Sequence, residues 1–306
     1  MTKSNIRMGW IIGVLLIQQT FGALTFPAAK IGLAAIEPFT FAFYRFMIAS
    51  VILLTIVQFR RFDIPVTRTD LWRIAGLGIL IILLNQTTYL VGQSMTTAGD
   101  GALLFATTPI WICVLARIYL KEKLTWRRSL GIGIAICGVV IIILRGAVGF
   151  GPEHLLGDLI IFESVLAWAA YSVLGKPLVM KYGAIRVTAY ALTFGAISYL
   201  PFGLYRAITF DYTPVPMKAW IALLWVALGT SVISYLLWYW VLKQTEASRV
   251  AAYHNVQPII AASAAYFILG EPLGIPFVIG GLIVLVGVLI TELRPHRKGT
   301  IRALPE

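Results

Sequence analysis

Charge is the first thing this chain lacks. Only 12% of its 306 residues are Asp, Glu, Lys or Arg, about half the share of a soluble domain. A large folded surface facing water needs that charge, and one soluble core rarely grows past about 300 residues without dividing. With 59% apolar residues and a mean hydropathy of +0.86, a soluble globular fold is excluded. Disorder is excluded too, since it requires low hydrophobicity. Cysteine is scarce: Cys113 and Cys137 both lie in apolar runs, which rules out a disulfide framework or a CxxC metal site. No GxxxxGK[ST] loop occurs, so ATP does not drive this protein directly. HExxH, GxSxG and a loop with paired acids and a His are also missing. No cofactor, metal or enzymatic activity is therefore expected.

Long apolar runs are what the chain does have. A membrane helix needs about 20 mostly apolar residues, and ten segments qualify: 9–29, 38–59, 73–92, 98–119, 128–145, 156–175, 185–206, 217–241, 248–269 and 274–293. Only short loops remain between them. The first segment is longer than the apolar core of a signal peptide and is read as an uncleaved span. The net charge of +12 would suggest nucleic acid only if the basic residues gathered on one face or arm. They come instead as small groups between the spans. Twenty of the 25 fall on the side of the N-terminus, Lys30, Arg145, Arg206 and Lys218 fall on the other, and Arg45 lies inside a span. Basic loops stay in the cytoplasm. A multi-pass protein of a bacterial-type inner membrane is expected, with both termini cytoplasmic and the lipid bilayer rather than nucleic acid as its surroundings.

The second half echoes the first. Residues 101–140 and 250–289 align without a gap, pairing Pro109 with Pro258, Glu122 with Glu271, Gly131 with Gly280 and Gly138 with Gly287. A weaker echo relates Lys30 to Lys176 and Tyr44 to Tyr190. Two halves of five spans, 1–149 and 150–306, must enter the membrane from opposite sides because five is odd. The expected fold is all-α: ten transmembrane helices as a 5+5 inverted-topology repeat around a central cavity. Such repeats recur in secondary transporters, where two inverted halves can exchange conformations.

The stretches ALLFATTPIWICVLARIYLKEKLT (102–125), VAAYHNVQPIIAASAAYFILGEPLG (250–274) and FAFYRF (41–46) resemble the EamA family of the drug/metabolite transporter superfamily. The resemblance covers almost the whole chain and is specific for family, weak for substrate. It implies ten helices around a central cavity and proton-linked or exchange-type export of amino acids and related metabolites. Two departures are visible. Ala191 stands where a repeat of Arg45 would fall, and His254 and Asn255 are more polar than is usual for this family's ninth span.

Ionisable groups within a bilayer are costly and are functional candidates by default. Arg45 and Glu163 each lie about seven residues into a span from the same side, and a buried charge is tolerable when paired. A shared polar network between them is expected. His254 forms a polar cluster with Asn255 and Gln257 just before Pro258, and Phe105 and Thr108 precede Pro109 at the matched place. Proline frees a backbone carbonyl, and breaks at corresponding positions of two halves point to a binding site; the prolines would otherwise only bend the helices. Gln18, Asn85, Gln86 and Tyr89 are further cavity candidates, although amides also serve as glue between helices. Trp111, Trp168, Tyr171, Tyr235 and Trp238 lie deep enough to wall a cavity for an apolar or aromatic metabolite, or to pack in the core. Asp100 reads as a helix cap.

The expectation is thus a secondary transporter of small organic metabolites, most simply an exporter of amino acids or related compounds, acting as a monomer or homodimer. An importer of the same fold remains open. So does a lipid-modifying membrane enzyme, although no catalytic cluster supports it. A channel would need rings of charge that the spans do not repeat.

Overall fold

Backbone amides and carbonyls that cross a bilayer must be satisfied within their own segment, so apolar runs of this length fold as helices. The computed structural model describes residues 3–60, 62, 64–119, 126–127, 130–131, 133–134, 136–138, 140–141, 152–244, 257–271 and 274–292. Among these residues all regular structure is helical. Seven helices are long and apolar enough to cross a membrane: α1 (Lys3–Leu33, apolar from Trp10), α2 (Pro38–Gln58), α3 (Arg68–Met95), α4 (Ala98–Tyr119), α5 (Pro152–Tyr182), α6 (Ala184–Thr209) and α7 (Met217–Gln244). Two further helices, α8 (257–269) and α9 (Ile275–Glu292), carry shorter apolar stretches. These nine correspond to nine of the ten expected segments; half of the fifth, 128–145, lies outside the described residues, and the rest of it is helical. The chain is a multi-pass, all-helical membrane protein.

Among the described residues four helices depart from α geometry: α8 is π-helical over Ala265–Leu269, and the departures in α3, α4 and α7 carry the site. In α3 the segment Leu80–Thr87 is π-helical, with the Thr87 hydroxyl donating to the Ile82 carbonyl at 2.7 Å. In α7 the segment Val226–Ser234 is π-helical as well. Helix α4 is interrupted at Ala106 and Thr107, leaving Ala98–Phe105 and Thr108–Tyr119. The cause is local: Pro109 has no N–H to offer the Phe105 carbonyl, and the Thr108 hydroxyl takes that carbonyl instead, at 2.6 Å.

Helix α2 packs along α6, α1 packs against α7 and the start of α8, and α5 packs against α3 and α4. The first segment of α4 meets α8. Small residues allow the closest approaches. A Cβ added at Gly78 of α3 would meet the Ala191 carbonyl and lie 2.7 Å from the Gly195 nitrogen of α6. A Cβ added at Gly92 would lie 2.7 Å from the Gly157 carbonyl of α5.

Polar clamps sit at the helix ends. Asp70 at the start of α3 accepts from Lys181 (2.7 Å) and Tyr182 (2.7 Å) at the end of α5. Between α1 and α2, Glu37 is held by Arg206 of α6 and by the Thr40 hydroxyl. Burial works to raise the Glu37 carboxyl, but those hydrogen bonds and the Arg206 charge outweigh it and hold it below its ordinary value. A depressed folded value means that Glu37 contributes stability above the unfolded carboxylate value of about 4.3, and loses it as pH falls through the lower folded value. Thermal melts between pH 7 and pH 3 should therefore fall less steeply at the acid end for Glu37→Gln than for the wild type. Parallel curves would show that the clamp contributes no linkage.

A second clamp holds the corner between α3 and α4. Lys30 of α1 donates to the carbonyls of Gln93 (3.2 Å) and Thr96 (2.5 Å), which end α3. Glu271 accepts from the amides of Ala98 (2.9 Å) and Gly99 (3.1 Å), which begin α4. Gly270, at φ 68°, lets the chain leave α8 in the left-handed turn that delivers Glu271.

Candidate functional site

The π-segments of α3 and α7 and the break in α4 face one another around a small central cavity of about 60 Å³. Helix α1 contributes Gln18, Gly22, Thr25 and Phe26, α3 contributes Gln86 and Tyr89, and α4 contributes Phe105, the last residue before its break. From the other side come Trp168 of α5, Thr230, Ser234 and Tyr235 of α7, and Gln257 of α8. Gln18 donates to the Ser234 hydroxyl at 3.0 Å, and the Thr25 and Thr230 hydroxyls share a hydrogen bond of 2.5 Å. Phe26, Tyr89 and Phe105 meet edge to face, with centroids 5.6–5.8 Å apart. Among the described residues no Asp, Glu, Lys or Arg lines this cavity.

Seven of the expected cavity residues therefore converge: Gln18, Gln86, Tyr89, Phe105, Trp168, Tyr235 and Gln257. Five do not line it. Asn85 turns to α5, donating to the Ser164 carbonyl (2.6 Å), and acts as glue between helices. Thr108 spends its hydroxyl on the proline break. Trp111 lies edge to face with Phe162, 5.5 Å away, and donates to the Thr107 hydroxyl. Tyr171 and Trp238 are buried behind the wall, with centroids 5.7 and 5.8 Å from Trp168. His254 and Asn255 lie outside the described residues. Pro258 falls in the first turn of α8.

The expected partnership of Arg45 and Glu163 is not formed. Arg45 is fully buried and donates from Nε to the Ser231 hydroxyl at 2.8 Å, with its guanidinium 5.0 Å from the Phe46 ring centre. Glu163 lies on the exposed outer face of α5, beside Thr88. Counting residues along two helices gives depth; it does not give the direction in which each side chain leaves the axis.

The reading of Asp100 as a cap is also corrected. The cap of α4 is Thr97, whose hydroxyl accepts from the Asp100 amide at 3.0 Å. The Asp100 carboxylate instead meets His154 Nε2 at 3.0 Å, in a buried knot with Thr96 and Asp158 of α5. Thr96 donates to Asp158 at 2.6 Å, so the proton between Thr96 and the ring, 2.9 Å apart, belongs to the ring. The ligand atoms of Asp100, His154 and Asp158 lie within 4.8 Å of one another, as metal ligands would; here they bond to one another and to Thr96. The i,i+4 spacing of His154 and Asp158 on one face of α5 was the available signal.

On the far side of α1 from the cavity, a wider cleft of about 1010 Å³ opens between α1, α7 and α8. Its walls include Pro27, Ile221, Trp225 and Ile268, and its rim carries Lys30, Lys218 and Glu271.

Membrane-length helices around a cavity with amide, hydroxyl and aromatic walls define a multi-pass membrane protein with an internal binding space. The sequence agrees with that class. The chain belongs to the EamA-like transporter family, whose model matches residues 9–144 and again 155–293. It is 31% identical over 275 residues to the uncharacterized transporter YyaM of Bacillus subtilis, covering 88% of this chain and 89% of that protein. An uncharacterized transporter of Archaeoglobus fulgidus is 28% identical over 285 residues, covering 93% and 98%. A protein of Streptantibioticus cattleyicolor named a probable terminal-alkyne amino-acid exporter is 26% identical over 299 residues, covering 94% and 95%. A crystal structure with 17% sequence identity covers 92% of this chain and 98% of its own, with a TM-score of 0.66, and shares the fold.

Proposed function

We propose that this chain is a secondary active transporter that exports amino acids or related small metabolites across the cytoplasmic membrane by alternating access. The observation that carries the reading is the central cavity, walled by α1, α3 and α4 from one half of the chain and by α5, α7 and α8 from the other. Two halves, 1–149 and 150–306, form an inverted repeat around it. The family model matches once in each half. Helix α1 packs on α7 as α5 packs on α3, and α3 and α7 carry π-segments at matched places. Both termini lie in the cytoplasm, in keeping with the twenty basic residues on that side. The amino-acid class draws support from the name of the Streptantibioticus relative and from the aromatic wall. The site residues are the seven that converge on the cavity, and the molecule works as a monomer or homodimer, driven by exchange or by protons.

Purified protein in proteoliposomes should move at least one amino acid from a labelled panel of amino acids, nucleosides and cationic drugs. The panel is run with and without a pH gradient, and a gradient-dependent rate identifies proton coupling. No flux of any compound above empty vesicles would overturn the transporter reading.

A further inference from the structure

The buried polar groups beside the central cavity have too many donors. Arg45 uses one of its five N–H bonds on Ser231, and its Nη1 and Nη2 atoms have no hydrogen-bond partner among the described residues. Among the described residues no carboxylate pairs with it, and the phenols of Tyr89 and Tyr235 lie close to it. Both hydroxyls are buried and lack a hydrogen-bond partner among the described residues, and so does the indole nitrogen of Trp168. Tyr89, Tyr235 and Trp168 all line the cavity.

Such a set is not a structural network. A buried cation that only held helices together would be surrounded by acceptors, because an uncompensated charge in a low-dielectric interior is strongly unfavourable. A guanidinium fork with two free ends matches a carboxylate, which accepts two parallel N–H bonds. One cation answers one negative charge. A phosphate monoester, with nearly two charges, would be left half neutralised. Beside Ser234 the side-chain oxygen of Gln18 is an acceptor with no partner among the described residues, enough for a neutral or cationic donor but with no charge of its own.

We infer that Arg45, with the hydroxyls of Tyr89 and Tyr235, anchors the carboxylate of the transported molecule, and that the aromatic wall takes an apolar body. This rests on the transporter reading above and narrows it: the carboxylate is the required group and the amino group is optional. The cavity of about 60 Å³ has room for only a few waters, so the anchor is engaged in a wider conformation, once the Tyr89 and Tyr235 side chains part.

The test compares three probes of one shape. L-phenylalanine carries both charges, 3-phenylpropanoate keeps the carboxylate, and phenethylamine keeps the ammonium. Thermal stabilisation of the purified protein reads binding without requiring flux. Both acids should raise the melting temperature, while phenethylamine should require at least about tenfold higher concentration, the scale of losing hydrogen bonds to a charged group. Tyr89→Phe with Tyr235→Phe should weaken binding of 3-phenylpropanoate about tenfold, and Arg45→Lys should keep the preference for acids with reduced affinity. Equal effects of amine and acid, or stabilisation by none of the three, overturn the anchor. Amine-tolerant flux in the proteoliposome panel would overturn it while leaving the transporter reading intact, whereas absence of all flux strikes the transporter reading and leaves the thermal shifts to decide whether Arg45 anchors a carboxylate at all.

Discussion

Gly22→Val should reduce transport about 10- to 100-fold while the protein still folds. Gly22 lies in α1 and lines the central cavity, and a Cβ placed there would run into the side-chain amide of Gln257. Valine adds two methyl groups beyond that Cβ, in a space of about 60 Å³. Overpacking a tightly packed site costs about 1–3 kcal/mol, and the far end of the Gln257 side chain can give way, so the fold survives. The space that a substrate needs does not. Initial rates in proteoliposomes, normalised to protein that elutes as a single folded species, check this result. Gly13→Val is the control, since a Cβ at Gly13 meets nothing within 4 Å on the same helix. A wild-type rate for Gly22→Val would place the transport route elsewhere.

The second large effect is on stability. Gly78→Val places its side chain against the main chain of α6 at Ala191 and Gly195, where no side-chain end can swing aside. Gly195 reciprocates, with a Cβ there 2.8 Å from Ile82 Cδ1. The two helices must separate, at about 3 kcal/mol or more. Folded yield should fall by at least about tenfold. Gly76→Val lies two positions away, with nothing within 4 Å of its Cβ, and should behave as wild type. Fluorescence-detected size-exclusion melts of the two variants side by side make the comparison, and equal stability would remove the close contact as a determinant of the fold.

Most of the membrane architecture was legible because bilayer thickness converts directly into a count of apolar residues. The break in α4 was legible for a similar reason: Pro109 lacks a donor wherever it stands. Azimuth was not legible. Glu163 and Ser164 are adjacent in sequence and about 100° apart around the axis; Ser164 is buried against Asn85, and Glu163 is exposed. The same ambiguity separates Gln86, which lines the cavity, from Asn85, which does not. The π-segments left no compositional trace, yet they set the direction of Tyr89 and Tyr235, which follow them. Thr25, Thr230 and Ser234 were passed over because small hydroxyl residues are common in membrane helices and become polar sites only when two face each other. The knot of Thr96, Asp100, His154 and Asp158 was missed because it joins the corner of α3 and α4 to the start of α5.

The corner held by Lys30 and Glu271 has a polarity of its own. Lys30 serves the carbonyl end of one helix and Glu271 the amide end of the next, where the peptide dipoles leave partial negative and partial positive charge. The two side chains also attract each other, but their principal partners are main-chain groups whose sign is fixed by the direction of the chain. The order of charges is thus written into the path of the backbone, and the two residues are not interchangeable as the members of an ordinary ion pair would be.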